Sequence, residues 1–203
     1  ILRGRDIKRY GYNWANLWLI NTHNGIRGKL ERVHIEDYPA IKAHLDQYWD
    51  KISKRADKGD TPYNLRNCAY LEDFSKPKII WKRVGSILRF CYNDNEALGL
   101  DSTCFAIGNN IEFVCCVLNT PMGHYLLKDA PKTGTGDLLI SVQAVEPIKL
   151  PSVTHELNIE FKRLLEMMIA NCSDDIKNEI SQKIFNLYGL SHEEQRYIEE
   201  NFT

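Results

Sequence analysis

The chain has 203 residues with 43% hydrophobic, 26% charged and 10% aromatic side chains, and a formal net charge of −1. That length and composition suit one large domain, or one domain with a small appendage, and exclude low-complexity disorder. No apolar run approaches the roughly 18 residues that cross a bilayer and no basic-then-apolar leader is visible, so a cytoplasmic protein without membrane attachment is expected, and the start at Ile1 reads as a piece cut from a longer protein.

The near-neutral total hides a split. Residues 1–100 hold 18 Lys and Arg against 12 Asp and Glu, a net of +6, while residues 101–203 hold 8 against 15, a net of −7. One polyanion-facing flank is the expectation, with chance imbalance of solvated side chains as the alternative. The six cysteines form no Cys-x-x-Cys and no zinc-finger spacing, so they read as reduced thiols in small apolar roles.

In chain order, residues 1–35 alternate short apolar runs with Asn/Gly turns, which predicts β structure with loops. Residues 38–57 carry Tyr38, Ile41, Leu45, Tyr48, Trp49 and Ile52 at spacings of three and four, a helix stripe, with Asp37 as cap and Pro39 in the first turn. Lys51, Lys54, Arg55 and Lys58 cluster at its far end before Gly59. Short strands are expected at 78–82, 86–92, 103–107, 111–118 and 138–145, with a short helix at Gly123–Leu127. Pro147 and Pro151 bracket a linker. Beyond it, Leu157, Phe161, Leu164, Leu165 and Met168 make one helical stripe. Ile176, Ile180, Ile184 and Leu187 make a second, stopped by Gly189, and Ser191 with Glu194 opens a third helix as a capping box. The expected class is α+β: a mixed, β-rich domain over 1–150 with a helix in its N-terminal half, then an acidic C-terminal helical appendage over 151–203.

Catalytic signatures are missing. Lys132-Thr-Gly-Thr-Gly-Asp137 lacks the second half of a P-loop, and neither Gly-x-Gly-x-x-Gly nor Gly-x-Ser-x-Gly occurs. Thr61-Pro62-Tyr63-Asn64 only superficially resembles the Asn/Asp-Pro-Pro-aromatic loop with which amino-methyltransferases hold a target amine, since it lacks the polar residue before the proline and the second proline. Glu160-Phe161-Lys162 has the spacing of a metal-dependent nuclease but falls in a helical window. What remains are basic residues among aromatics and amides: Arg3, Arg5, Lys8 and Arg9 with Tyr10; Lys54, Arg55 and Lys58; Tyr63, Asn64 and Arg66; Lys76, Lys78, Trp81, Lys82 and Arg83. Lys and Arg neutralise phosphates, and Arg and Asn suit bidentate contacts with guanine and adenine. Lysines at a helix C-terminus equally complement its dipole, and Trp81 suits a core as well as a contact.

Taken together, Leu2-Arg-Gly-Arg-Asp-Ile7 with Arg9-Tyr10, Tyr38-Pro39 before a helix, Pro62-Tyr-Asn-Leu-Arg66, Pro77-Lys-Ile-Ile-Trp81, Asp101-Ser-Thr-Cys-Phe105, Gly134-x-Gly136 and Ile184-Phe-Asn-Leu-Tyr-Gly-Leu190 are similar, in order, to the TaqI-like C-terminal specificity domain. That is the target recognition domain of type II restriction–modification DNA adenine methyltransferases, with or without a fused endonuclease. The resemblance implies a non-catalytic domain that grips double-stranded DNA beside the N-terminal methyltransferase domain of the same chain, which flips the target adenine. It implies no cofactor in this fragment, S-adenosylmethionine and in some enzymes Mg²⁺ belonging to the parent. On it, Tyr63, Asn64, Arg66, Lys82 and Arg83 are expected to read bases, Lys54 and Arg55 to meet the backbone, and Lys132, Thr133 and Thr135 to hold phosphate, with Leu2–Ile7 docking the start of the domain. The alternatives are a small metal-dependent nuclease resting on Glu160 and Lys162, and a protein–protein scaffold suggested by the acidic tail.

Overall fold

The computed structural model describes residues 1–202 and is mixed α+β. The chain forms two compact units: Trp18–Asp73, and Ile1–Leu17 together with Phe74–Thr203.

The unit Trp18–Asp73 is mostly irregular chain around two helices, α1 (Pro39–Asp46) and α2 (Trp49–Ile52). The helix expected over 38–57 breaks at Gln47–Tyr48, and neither piece buries a residue. Its stripe stays half-buried (Ile41, Leu45, Ile52) or exposed (Tyr38, Tyr48, Trp49). A long amphipathic helix is held chiefly by tertiary burial, and this unit offers little. Its buried residues are largely polar: Thr22 at 4% and Asn64 at 1% exposure beside Ile35. Thr22 Oγ1 donates to Tyr63 O (2.7 Å) and Thr22 O accepts from Leu65 N (2.9 Å), so hydrogen bonds to the main chain do the work of an apolar core.

The other unit is built on the sheet. β1 (Lys78–Lys82) is central, and the strand that follows Arg83 is β2 (Val84–Gly85). β3 (Phe90–Asn93) and β4 (Thr103–Ile107) flank β1 antiparallel in the order β3-β1-β4, with Trp81 opposite Phe90 and Cys104. Successive side chains of a strand face opposite ways. Ile79 and Trp81 therefore enter the main core, while Ile80 meets Leu2, Ile7 and Cys91 in a second cluster. Burial on both faces explains the unbroken apolar run of Pro77-Lys-Ile-Ile-Trp81. The segment Leu2–Ile7 is docked: Leu2 and Ile7 are fully buried, and Leu2 N donates to Leu98 O (2.7 Å). Lys78 is also fully buried, its ammonium donating to the carbonyls of Phe74, Lys76 and Asn95.

Residues 111–118, expected as a strand, are a helix, α3 (Ile111–Leu118), which α4 (Pro121–Leu126) follows. Every residue of α3 except Val114 is buried. A short continuous apolar run fits a buried strand or a buried helix equally; packing on all sides by neighbouring elements selects the helix. The strand expected over 138–145 shrinks to β5 (Leu138–Leu139), which pairs with β2, followed by a single helical turn, α5 (Val142–Val145). The strand expected at 86–92 begins only at Phe90, and the N-terminal β structure reduces to isolated bridges and 3-10 turns.

The C-terminal helices are α6 (His155–Ala170), α7 (Asp174–Tyr188) and α8 (His192–Asn201). Thr154 and Ser173 cap the first two, Gly189 at φ 66° ends α7, and Ser191 with Glu194 forms the capping box of α8. Phe161, Leu164, Leu165, Ile180, Ile184, Phe185 and Ile198 join the same core as Trp81 and Phe113. The helices after Thr154 thus share one core with the sheet, within the unit that joins Ile1–Leu17 to the chain from Phe74 onward. Two buried polar clusters stitch α3 in place. Glu112 accepts from Tyr92 Oη (3.0 Å) and Asn158 Nδ2 (3.1 Å). Asn119 accepts from Phe90 N (3.1 Å) and donates to Phe90 O (2.7 Å) and Cys115 O (2.9 Å).

Candidate nucleic-acid interface

Within the sheet-based unit, β1 ends in the exposed pair Lys82 and Arg83. The pairing of β2 with β5 brings the 131–137 loop to that end: Ile140 N donates to Arg83 O (2.8 Å), Leu139 N to Pro131 O (2.7 Å), and Lys132 bridges Leu138. The stem of Lys82 lies over Gly4, where a Cβ would sit 2.8 Å from Lys82 Cγ, so glycine is needed for this approach. That contact carries exposed Arg5 to the same edge. Trp81, Lys82, Gly85, Ile87, Arg89 and Ile140 come together beside it. Lys82, Arg83, Arg89 and Lys132 make no ion pair among the described residues, leaving a basic edge with the exposed Ile87 at a loop tip.

Trp81 itself is core, 2% exposed, with its indole N–H donating to Ile140 O (2.7 Å). Arg3 is likewise unavailable. Its guanidinium is held bidentate by Asp6 (2.8 and 3.0 Å), which brings the Asp6 carboxyl down to about 2. The hydroxyls of Thr133 and Thr135 bond one another (2.8 Å), and Thr135 donates to Asp137 Oδ2 (3.3 Å). A carboxylate inside this loop opposes phosphate, so the loop presents Lys132 rather than a hydroxyl cradle.

The remaining expected site residues lie in the unit Trp18–Asp73. Asn64, expected to read a base, is 1% exposed; its amide donates to Val33 O (2.9 Å) and His23 O (3.3 Å) and accepts from Thr61 Oγ1 (2.6 Å). With its amide hydrogens and carbonyl oxygen engaged, it ties the loop together and offers no edge to a nucleotide. Arg55 is half-buried, with Nη2 donating to Asn64 O (2.7 Å) and Pro62 O (3.4 Å) and Nε without a partner. Tyr63 donates its hydroxyl to Asp46 (2.6 Å), and its ring meets Trp49 at 5.4 Å and the Lys42 ammonium at 5.4 Å. That bond and the adjacent Lys42 lower the Asp46 carboxyl, and the bond together with burial raises the Tyr63 phenol against the opposing effect of Lys42. Arg66 pairs with exposed Asp57 (3.5 Å), and Lys54 is exposed. No local pattern marks Arg89 and Ile87; only the fold brings them beside Lys82, as it brings Arg5 to the same edge through Gly4.

No three His, Cys, Asp or Glu side chains converge among the described residues. Glu160 pairs with Lys183 (2.8 Å), while Lys162 is exposed two residues on, which on a helix is a different face. Burial pushes the Cys91 thiol up to about 12 and also raises those of Cys115 and Cys116, so they stay protonated and behave as small apolar groups. No helix among the described residues is long and apolar enough to cross a membrane.

No protein-family model matches the chain. The chain is similar to the type II methyltransferase M.BanIII of Aneurinibacillus aneurinilyticus, 24% identical over 200 residues. The match takes in 92% of this chain and 34% of that protein, so the chain spans about a third of the length of the curated relative it matches.

Proposed function

We propose that these residues form the DNA-recognition part of a restriction–modification methyltransferase, gripping the duplex while methyl transfer takes place on a domain outside them. Similarity along 92% of the chain to a type II methyltransferase supports the restriction–modification setting. The observation that carries the DNA reading is the basic edge where β1 ends: Lys82, Arg83, Arg89 and Lys132 stand there without carboxylate partners, the arrangement that displaces counterions from a phosphate backbone. In this reading Lys82, Arg83 and Lys132 meet phosphates and Arg89 reaches into a groove of the duplex. Lys54 and Arg66 add backbone contacts from their own unit.

The partners are double-stranded DNA and the methyltransferase domain of the same polypeptide, in the cytoplasm. In this reading S-adenosylmethionine belongs to that methyltransferase domain. The loop that superficially resembles the amine-holding motif has its Asn64 amide buried and engaged and its Tyr63 hydroxyl on Asp46. No step of the reaction is therefore assigned to these residues.

The test is fluorescence anisotropy of the 203-residue chain with labelled duplexes over a salt series. Each phosphate contact contributes a slope of about −0.9 in log K against log salt. Arg83→Ala and Lys132→Ala should each reduce the slope by about one, and Arg89→Ala should weaken discrimination between duplex sequences. Binding that ignores salt, or variants indistinguishable from the parent chain, would refute the assignment.

A further inference from the structure

A second surface feature has the opposite electrostatic character. Between α4 and α8 a cavity of about 330 Å³ is lined by Tyr125, Leu190, Glu193, Glu194, Tyr197 and Ile198. Its walls are two phenol rings and two aliphatic chains, its rim carries two carboxylates, and no basic residue lines it. Phe202 buttresses both rings, edge-on to Tyr125 at 5.3 Å and to Tyr197 at 6.3 Å. Glu194 is fixed by the α8 cap, accepting from Ser191 N (2.8 Å) and Ser191 Oγ (2.8 Å), contacts that hold the carboxyl ionised. Tyr197 is 56% exposed, so the cavity opens at the surface.

Each component selects the same guest. Aromatic faces attract cations through their quadrupoles; the Lys128 ammonium already sits 4.4 Å from the Tyr125 ring centre, which leaves the exposed Tyr197 ring as the face for a guest. Carboxylates beside the rings repel phosphate and carboxylate ligands and pair with a cation. A planar guanidinium satisfies both at once, stacking on a ring while its N–H groups reach a carboxylate in a forked contact. The volume admits one such side chain and its stem, not a helix. We propose that this cavity is a docking site for an arginine side chain carried by a partner polypeptide. It stands independently of the DNA reading, because the two surfaces share no residue and have opposite charge.

The test uses the full chain and the probe acetyl-Gly-Arg-Gly-amide, with the citrulline peptide as an uncharged isostere, followed by NMR of the tyrosine ring signals. The arginine peptide is expected to shift the Tyr125 and Tyr197 signals saturably, and the citrulline peptide to bind at least tenfold more weakly. Glu193→Gln and Tyr197→Ala, both at exposed positions, should each weaken arginine binding at least fivefold while leaving the rest of the spectrum unchanged. Equal response to the two peptides, or arginine binding untouched by either variant, would overturn the proposal. So would saturable binding of tetramethylammonium without binding of the arginine peptide, which would make this a site for small cations.

Discussion

Asn119 is the most informative position for testing how the sheet-based unit holds together. Its side chain is 1% exposed at the end of α3 and acts as a strand neighbour for Phe90, accepting from Phe90 N and donating to Phe90 O, with a further bond to Cys115 O. Phe90 O also receives Tyr10 N (2.9 Å), so it survives the loss of the amide, whereas Phe90 N and Cys115 O lose a buried partner. A buried polar group left unsatisfied costs about 1–3 kcal/mol. Asn119→Ala should therefore destabilise the protein by about 2–4 kcal/mol, or roughly 5–12 °C in Tm for a chain of this size. Asn119→Asp keeps the shape and the acceptor but turns lone pairs toward two carbonyls. The introduced carboxyl should have a folded pKa raised above its unfolded value of about 3.9. A raised pKa gives stability that is present below the unfolded value and is lost as pH rises through the folded one. The Tm deficit of Asn119→Asp relative to the parent chain should thus grow between pH 4.5 and pH 7.5, while that of Asn119→Ala stays level. Thermal unfolding followed by circular dichroism measures both. An alanine variant within about 0.5 kcal/mol of the parent, or an aspartate deficit flat across that range, would show that these bonds do not matter.

Three further outcomes are expected. His124 is largely buried with Nε2 unpartnered, and burial together with nearby Arg9 brings its imidazole down to about 4. The unfolded ring takes its proton near pH 6.5, so stability should fall as pH drops from about 7 toward 4, by at most about 3 kcal/mol and less where the ring is wetted; His124→Gln should flatten that decline in thermal melts. Lys78→Met should cost about 2–4 kcal/mol in urea unfolding, because the carbonyls of Phe74 and Asn95 each lose a buried charged donor. Glu160→Ala should change stability by less than about 1 kcal/mol, its pair with Lys183 being partly exposed, and incubation of the chain with plasmid and Mg²⁺ should show no cleavage that depends on Glu160.

Some of this molecule is written in the sequence by itself. The strands at 78–82 and 103–107 and the C-terminal helices with their Ser/Thr caps and Gly189 are determined by local pattern, because periodicity and capping act over a few residues. Tertiary structure decided the rest. Ile111–Leu118 is helix because its neighbours bury it on nearly every side, a condition no window of eight residues can express. Asn64 and Arg55 look like DNA contacts in sequence and are internal ties in the fold, since the His23 and Val33 carbonyls that claim the Asn64 amide lie 41 and 31 residues away. The basic edge exists only because Val84–Gly85 pairs with Leu138–Leu139 and so carries Lys132 to Arg83. Local chemistry sets which residues are cationic or apolar, and long-range pairing sets which of them water, or a ligand, can reach.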